Sequence, residues 1–147
     1  MPIVGFHFTH IQAKKKNNIS ESTKVNIASR LSITDVQKEK LPTGKTKTDG
    51  LKIFFDFGLD YQPDIANISF EGFIYYLDDA KVLADITKEW VKQKNIPLDV
   101  KTQVLNSVIL KGTVRALALE QEINLPPHLP FPSIQPAKRS SKDEYIG

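Results

Sequence analysis

The fold is decided by residues 51–77, LKIFFDFGLDYQPDIANISFEGFIYYL. Apolar residues, with one glycine, occupy every second position over 51–61 and again over 68–76, which is the spacing of half-buried strands. The turn-forming segment 62–67, QPDIAN, separates the two runs. Residues 51–77 therefore predict a β-hairpin.

The apolar positions of the two strands also predict the register of this hairpin. A slip of one residue would turn the apolar side chains of one strand toward water, so the two apolar sets must face the same side. In the register that we favour, an aromatic ring covers the strand glycine and compensates for its missing side chain. The predicted pairs are Leu59 with Phe70, Phe57 with Gly72, Phe55 with Ile74, and Ile53 with Tyr76.

The opposite face of the hairpin is more apolar than a solvated face needs to be. It carries Phe54, Phe73 and Tyr75, with Leu77 next to them, and the predicted register sets Phe54 opposite Tyr75 and Asp56 opposite Phe73. Monomers seldom leave such patches bare. We expect this face to contact another subunit, a client segment or the C-terminal part of the chain.

Two further strands precede the hairpin. The first alternates as far as Phe8 and then shifts by one position, which predicts a bulge near Thr9 or His10. The second follows the alternation over 25–33. Residues 37–50 are polar, rich in lysine and contain a proline and two glycines, so they predict a mobile loop.

The periodicity becomes helical at Asp78 and Asp79. A helix should begin there, because an aspartate can cap free amide groups and suits the positive end of the helix dipole, and it should end before Pro97. Asp99 would cap a second helix of some 22 residues within 100–123, about 33 Å long and therefore long enough for part of it to meet another subunit. The predicted apolar faces are Val82, Leu83, Ile86, Trp90 and Val91 in the first helix, and Val104, Leu105, Val108, Ile109, Gly112, Ala116, Leu117 and Leu119 in the second.

Residues 125–132, LPPHLPFP, follow the second helix. The spacing of their prolines excludes both a helix and a central strand, so this segment should be extended, and its apolar residues Leu125, Leu129 and Phe131 are candidates for docking on the domain. Whether it docks on its own domain stays open. We expect residues 1–134 to form one domain and residues 135–147 to be a flexible polar tail.

Composition narrows the classes of function. The chain of 147 residues has no cysteine, which excludes disulfides, thiolate catalysis and cysteine-ligated zinc. No apolar run is long enough to span a membrane, and the first residues lack the features of a signal peptide. A cytoplasmic protein without membrane contact is the simplest expectation.

Candidate chemical motifs do not reach the pattern that a site requires. His7 and His10 should point to opposite faces of a strand unless the bulge realigns them, and a third ligand is not evident. The spacing of Asp56, Asp60 and Asp64 is typical of a solvated strand face, and we expect no catalytic carboxylate pair among them. Residues 41–46, LPTGKT, lack the earlier glycine of a phosphate-binding loop. We therefore expect no enzymatic activity, no catalytic residue, no metal and no cofactor.

The net charge of +3 is unevenly distributed. Nine basic and three acidic residues lie between Lys14 and Thr48. Lysines at strand edges and in loops can serve to keep a protein soluble and to block aggregation. Alternatively, such a cluster can attract an anionic partner to one side of the domain. An anionic partner would imply an alternative function, in which the basic residues bind the phosphates of RNA or of the ribosome. Its candidate residues are Lys14, Lys15, Lys16, Lys38, Lys40, Lys45 and Lys47, with Lys138 and Arg139 of the tail.

The order of elements resembles that of a known family. Four antiparallel strands, the last two a long hairpin, precede two helices, and the passage from Val104-Leu105-Asn106 to the segment 125–130, LPPHLP, is similar in position to the second helix and following loop of the SecB-type export chaperones and their archaeal relatives. The resemblance implies an α+β fold, a four-stranded antiparallel sheet with both helices on one face. It also implies pairing into homo-oligomers and binding of unfolded polypeptides. Such chaperones are generally acidic, so a net charge of +3 argues against coupling to their ATPase.

The first functional hypothesis is therefore a non-catalytic, oligomeric polypeptide-binding protein, a holdase or a scaffold. Its partners would be unfolded or extended polypeptides, or a larger assembly. The predicted polypeptide- or subunit-binding residues are Phe54, Phe73, Tyr75, Leu77, Leu125, Leu129 and Phe131.

Overall fold

A computed structural model describes residues 3–19, 24–130, 132, 134 and 136 of the chain. The elements of this part of the chain are β1 Ile3–Lys15, β2 Asn26–Thr43, β3 Thr46–Gln62, β4 Ala66–Tyr76, α1 Ala80–Gln93 and α2 Leu98–Glu122. The four strands form one antiparallel sheet of order β1-β4-β3-β2, so β1 and β2 are its edges. The two helices follow the strands, and the predicted α+β fold class is confirmed. The predicted tail, 135–147, lies outside the described residues except for Pro136.

Both helices pack on one face of the sheet, which we call the inner face and which carries Ile53, Phe55 and Phe57 of β3. Burial of these alternating side chains drives the packing, at roughly 25 cal/mol per Å² of apolar surface. Gly112 of α2 lets the helix approach, since a Cβ there would lie 3.1 Å from Cδ1 of Phe57. The buried helical residues that complete the core are Leu83, Ile86 and Trp90 of α1 and Val100, Val104, Val108 and Ala116 of α2.

The buried stripe of α2 winds around the helix. Its members recur every four residues, and each step of four advances about 40° around the axis. The sheet therefore covers a narrow strip that drifts along α2, and Ile109 stays 44% exposed. Val91 of α1 is 72% exposed, so the predicted apolar faces were wrong at these two positions. The stripe consists of Val100, Val104, Val108, Gly112, Ala116 and Glu120.

The predicted faces of the β3–β4 hairpin are confirmed, but its predicted register was wrong by two residues. A slip of two keeps every side chain on its face, so the alternation of apolar residues cannot detect it. The turn decides the register: Tyr61 pairs with Ala66, whereas the prediction began the second strand at Ile68. The observed pairs are Leu59 with Ile68, Phe57 with Phe70, Phe55 with Gly72, and Ile53 with Ile74.

Residues 37–50 form a hairpin rather than the predicted mobile loop. β2 extends to Thr43 and β3 begins at Thr46, so only Gly44 and Lys45 connect them, with Gly44 at a φ of 71°. The pairing uses backbone groups, which a polar sequence supplies as well as an apolar one. Pro42 fits because β2 is an edge strand.

The predicted bulge in β1 is confirmed. The pairing with β4 shifts between Phe8 and His10, so His7 faces Phe73 and His10 faces Glu71. Both histidines consequently belong to the face of the sheet opposite the helices. They do not point to opposite faces, as an unbulged strand would require.

The helix starts were predicted to within two residues. α1 begins after Asp79, whose side chain makes no capping hydrogen bond. α2 begins at Leu98, and Pro97 takes the capping position that was predicted for Asp99. Asp99 lies instead in the first turn, where its charge still suits the helix dipole.

Candidate functional site

The outer face of the sheet, opposite the helices, carries an aromatic cluster that we call the outer patch: His7, Phe54, Phe73 and Tyr75. Ring centroids lie 5.0 Å apart for His7 and Phe73, 5.8 Å for Phe54 and Phe73, and 5.2 Å for Phe73 and Tyr75. These separations are typical of favourable aromatic pairs. Phe54, Phe73 and Tyr75 are half-buried and His7 is exposed, so the cluster presents apolar surface to solvent.

Strand pairing brings these rings together. Phe54 lies opposite Phe73 on one side and His7 lies opposite Phe73 on the other, which sets three rings in one row across the sheet. Phe54 does not face Tyr75, as predicted, although all three predicted aromatic residues share this face. Gly5 gives Tyr75 room, because a Cβ at Gly5 would lie 3.0 Å from Cδ2 of that ring.

A lysine covers part of the outer patch. Nζ of Lys52 lies 4.1 Å from the ring centroid of Phe73 and 5.3 Å from that of Phe54. It also lies 3.9 Å from Oε2 of Glu39. A cation over an aromatic face at a partly exposed site contributes about 0.5–1 kcal/mol. Lys52 therefore holds a positive charge at the edge of an apolar surface.

Leu77 extends the patch toward the helices. The side chains of Leu77 and Leu41 meet above Gly50, where an added Cβ would lie 2.8 Å from Cδ2 of Leu77 and 2.6 Å from Cδ1 of Leu41. Leu77 is half-buried and Leu41 is buried. The predicted residue Leu77 is thus continuous with the outer face.

The other half of the outer face is charged. Asp56 lies opposite Glu71, not opposite Phe73 as predicted. The guanidinium of Arg30 lies above Gly58, and its Nε donates to Oδ2 of Asp60 at 3.0 Å while its Nη1 lies 3.7 Å from Oδ2 of Asp56. Asp56 and Asp60 therefore share the guanidinium of Arg30 as their ion-pair partner.

The chain after α2 folds back on the end of the β3–β4 hairpin, and we call residues 124–130 the strap. Oη of Tyr61 donates to the carbonyl of Pro126 at 2.6 Å, and Nζ of Lys15 donates to the carbonyl of Asn124 at 3.3 Å. Leu125 is buried in the core, whereas Leu129 is 43% exposed. The predicted residue Phe131 lies outside the described residues.

A buried glutamate that contacts a histidine fastens the strap. Glu120, which is 1% exposed, accepts from Nδ1 of His128 at 2.5 Å and from the backbone N–H of His128 at 3.3 Å. We assign the proton of the side-chain contact to Nδ1, so that the carboxylate accepts both hydrogen bonds. Burial, together with the charge and hydrogen bond of Glu120, raises the pKa of the Tyr61 phenol well above its ordinary value. Sequence reasoning missed this cluster, although the repeat of four along α2 places Glu120 on the buried stripe.

The strap and the outer patch are separate regions. Tyr61 belongs to the inner face at the hairpin turn, while Phe54 lies seven residues earlier on the outer face, about 23 Å along the strand. The strap residues that contact the domain meet Tyr61, Glu120 and Lys15. The structure thus brings Phe54, Phe73, Tyr75 and Leu77 together and sets Leu125 and Leu129 elsewhere.

The predicted anion-binding residues form two groups. Lys14 to Lys16 lie near the β3–β4 turn, whereas Lys38 to Lys47 lie at the β2–β3 end, nine β3 residues and roughly 30 Å away. Lys16 pairs with Asp64 and Lys40 with Asp49, each at 2.9 Å. Lys138 and Arg139 lie outside the described residues. The two groups do not form one continuous basic surface.

Across residues 3–19 and 24–130, no three histidine or acidic side chains are placed to hold a metal ion together. No helix in these ranges is long and apolar enough to cross a membrane.

Comparison with known proteins finds a likeness in fold rather than in sequence. No family model and no curated protein matches the sequence. Among solved structures, the chain is similar to the Mycobacterium tuberculosis SecB-like chaperone Rv1957, solved in complex with a ChAD peptide from the Rv1956 HigA1 antitoxin. The TM-score is 0.59 at 14% identity, over 92% of this chain and 91% of the other. The likeness extends over nearly the whole of both chains and concerns their fold: this chain has a SecB-like fold.

Proposed function

We propose that this protein is a non-catalytic polypeptide-binding protein, a holdase or scaffold, that takes extended segments of unfolded chains on the outer patch. The observation that carries the proposal is the row of Phe54, Phe73 and His7, half-buried to exposed, on a sheet face that the helices do not cover. The SecB-like fold supports it, and so does the peptide in the complex of Rv1957. The proposed place of action is the cytoplasm.

The outer patch suits weak and reversible binding. A client segment that covers about 300 Å² of apolar surface would gain roughly 7 kcal/mol, from which the ordering of both partners subtracts several kcal/mol. β1 carries His7 beside the patch, and within the described part of the chain its outer edge has no strand partner, so it can offer backbone groups to an extended client. Backbone pairing does not depend on client sequence, which a holdase requires.

We further propose that the protein is a homo-oligomer. Leu110 and Val114 of α2 are each 65% exposed and lie one turn apart on the side of the helix away from the sheet. Such neighbouring apolar side chains support a contact with another subunit. The proposed folded unit is residues 1–134.

The RNA- or ribosome-binding alternative stays a prediction. Its lysines lie in two groups roughly 30 Å apart, and two of them are already ion-paired. A polypeptide ligand is favoured because the aromatic residues cluster on one face, whereas the basic residues do not.

Suppression of aggregation tests the proposal. A urea-unfolded test protein is diluted into buffer with a stoichiometric amount of the chaperone, and light scattering is followed. The variant F54S/F73S should lose most of the suppression because it removes two rings of the outer patch. The matched control L129S, which changes an exposed residue of the strap, should suppress as the parent does. Equal suppression by parent and F54S/F73S would contradict the proposed site, and no suppression by the parent would contradict the proposed function.

A further inference from the structure

A groove runs between the edge strand β2 and helix α1, on the inner side of the sheet. A cavity of about 450 Å³ lies there, and its lining residues are Lys38, Glu39, Lys40, Asp49, Gly50 and Leu51 of the sheet and Ala80, Leu83 and Ala84 of α1. A second cavity of about 520 Å³ continues along the helix and shares Lys38 and Ala84 with the first. The shared residues make the two cavities one continuous depression, which we call the basic groove.

The floor of the basic groove is apolar. Leu51 and Leu83 are buried beneath it, while Val91 stands 72% exposed at its far end. The small side chain of Ala84 leaves the middle open where the two cavities meet. An apolar side chain of a partner could therefore lie against Val91 and above Leu83.

The rim of the basic groove is cationic. Lys38, Lys88 and Lys92 line it, and in the described part of the chain none of them lies within ion-pair distance of a carboxylate. The two acidic residues of the first cavity have other partners: Asp49 pairs with Lys40 at 2.9 Å, and Oε2 of Glu39 lies 3.9 Å from Nζ of Lys52. Three like charges along one depression create a positive potential that a negative partner would relieve.

One wall of the groove is a strand edge. Among the described residues, β2 pairs with β3 alone, so its other side presents backbone N–H and C=O groups. An extended peptide can add to such an edge, with alternate side chains turned over the groove.

We propose that the basic groove binds an acidic, extended polypeptide segment, whose apolar side chains pack on the floor and whose carboxylates pair with Lys38, Lys88 and Lys92. This partner differs in charge and in location from the clients of the outer patch, so the proposal stands independently of that function. RNA fits less well, because the residues that line the two cavities include no aromatic ring on which a base could stack.

Fluorescence anisotropy with a defined probe tests this site. The probe is a fluorescein-labelled peptide of four Glu-Leu-Ser repeats, and the full chain is titrated into it. Reversal of two rim charges in K38E/K88E should weaken binding about tenfold, since each reversal replaces an attraction with a repulsion. The matched control K14E/K111E has the same change of net charge away from the groove and should leave the affinity within about twofold. A84F should also weaken binding by filling the groove at unchanged charge.

The outcomes separate the alternatives. Preference of the parent for Glu-Leu-Ser over Lys-Leu-Ser repeats, with the losses above, supports the proposal. Equal binding of both peptides, equal losses in K38E/K88E and K14E/K111E, or no binding at all would overturn it. Tighter binding of a twelve-nucleotide oligouridylate at the same groove would show a nucleic-acid site and would also overturn it. The aggregation assay with F54S/F73S tests binding at the outer patch, independently of the basic groove.

Discussion

The outer patch and the strap differ in how far their polar and aromatic side chains are exposed to solvent. In the outer patch, His7, Phe54 and Phe73 leave part of their ring surface in water. Beneath the strap, Glu120 is 1% exposed and its carboxylate accepts two hydrogen bonds from His128. Removal of one partner of a buried polar pair leaves the other partner buried without its hydrogen bonds and destabilises the fold, whereas exposed rings contribute little to stability. The strap region should therefore govern stability and the outer patch should govern binding.

The largest expected effect on stability is that of H128A. It leaves the carboxylate of Glu120 buried with fewer partners, which should lower the free energy of unfolding by about 3 kcal/mol. Urea unfolding followed by circular dichroism measures it. L129A, at the exposed neighbouring position, is the control and should change stability by less than about 0.5 kcal/mol. A small effect of H128A would show that the strap does not hold the domain.

Removal of the Tyr61 hydroxyl should have the next largest effect. Y61F loses the hydrogen bond to the carbonyl of Pro126, at a cost of about 1 kcal/mol. Suppression of aggregation should persist, because Tyr61 faces the helices and not the outer patch. Loss of aggregation suppression in a folded Y61F variant would contradict the functional separation of the strap from the outer patch.

Tyr61 should also make stability depend on alkaline pH. Burial and Glu120 raise the pKa of Tyr61, so the folded state holds the phenol proton more tightly than the unfolded state does. Stability is then complete below the unfolded pKa of about 10 and falls as the pH rises above it. Burial and Asp78 raise the pKa of Tyr76 to about 12, so Y61F should retain part of this fall. Urea unfolding at pH 8 and pH 11 measures the difference, and an unchanged pH dependence in Y61F would contradict the assignment.

The smallest effect on stability is expected at the outer patch. K52M removes the cation above Phe73 and Phe54, which should lower stability by about 0.5 kcal/mol. Binding of an apolar fluorescent dye should increase, because the rings lose a charged cover. K47M, at the tip of the β2–β3 hairpin, is the matched control. A decrease in dye binding by K52M would show that Lys52 does not cover the patch.

Alternation predicted the faces of the hairpin because strand side chains alternate regardless of context. It placed Phe54, Phe73 and Tyr75 on one face, as the structure does. Alternation could not predict the register, because a slip of two residues leaves every side chain on its face. The register is set at the turn, where Tyr61 pairs with Ala66.

The sequence did not predict the structure around polar residues in two places. Residues 37–50 form strand pairs through their backbone, which composition does not indicate. Glu120 and His128 are buried together because the stripe of α2 drifts around the helix and the strap returns over it. The archaeal relationship and the functional roles of the site residues stay predictions.

Nuclear magnetic resonance mapping of the aromatic rings tests the central claim most directly. An unfolded polypeptide is titrated into the full chain labelled at its aromatic side chains. We predict that the ring resonances of Phe54, Phe73 and Tyr75 shift or broaden first, while those of Tyr61 and His128 stay unchanged. Shifts confined to Tyr61 and His128, or no change in the three rings of the outer patch, would contradict the account.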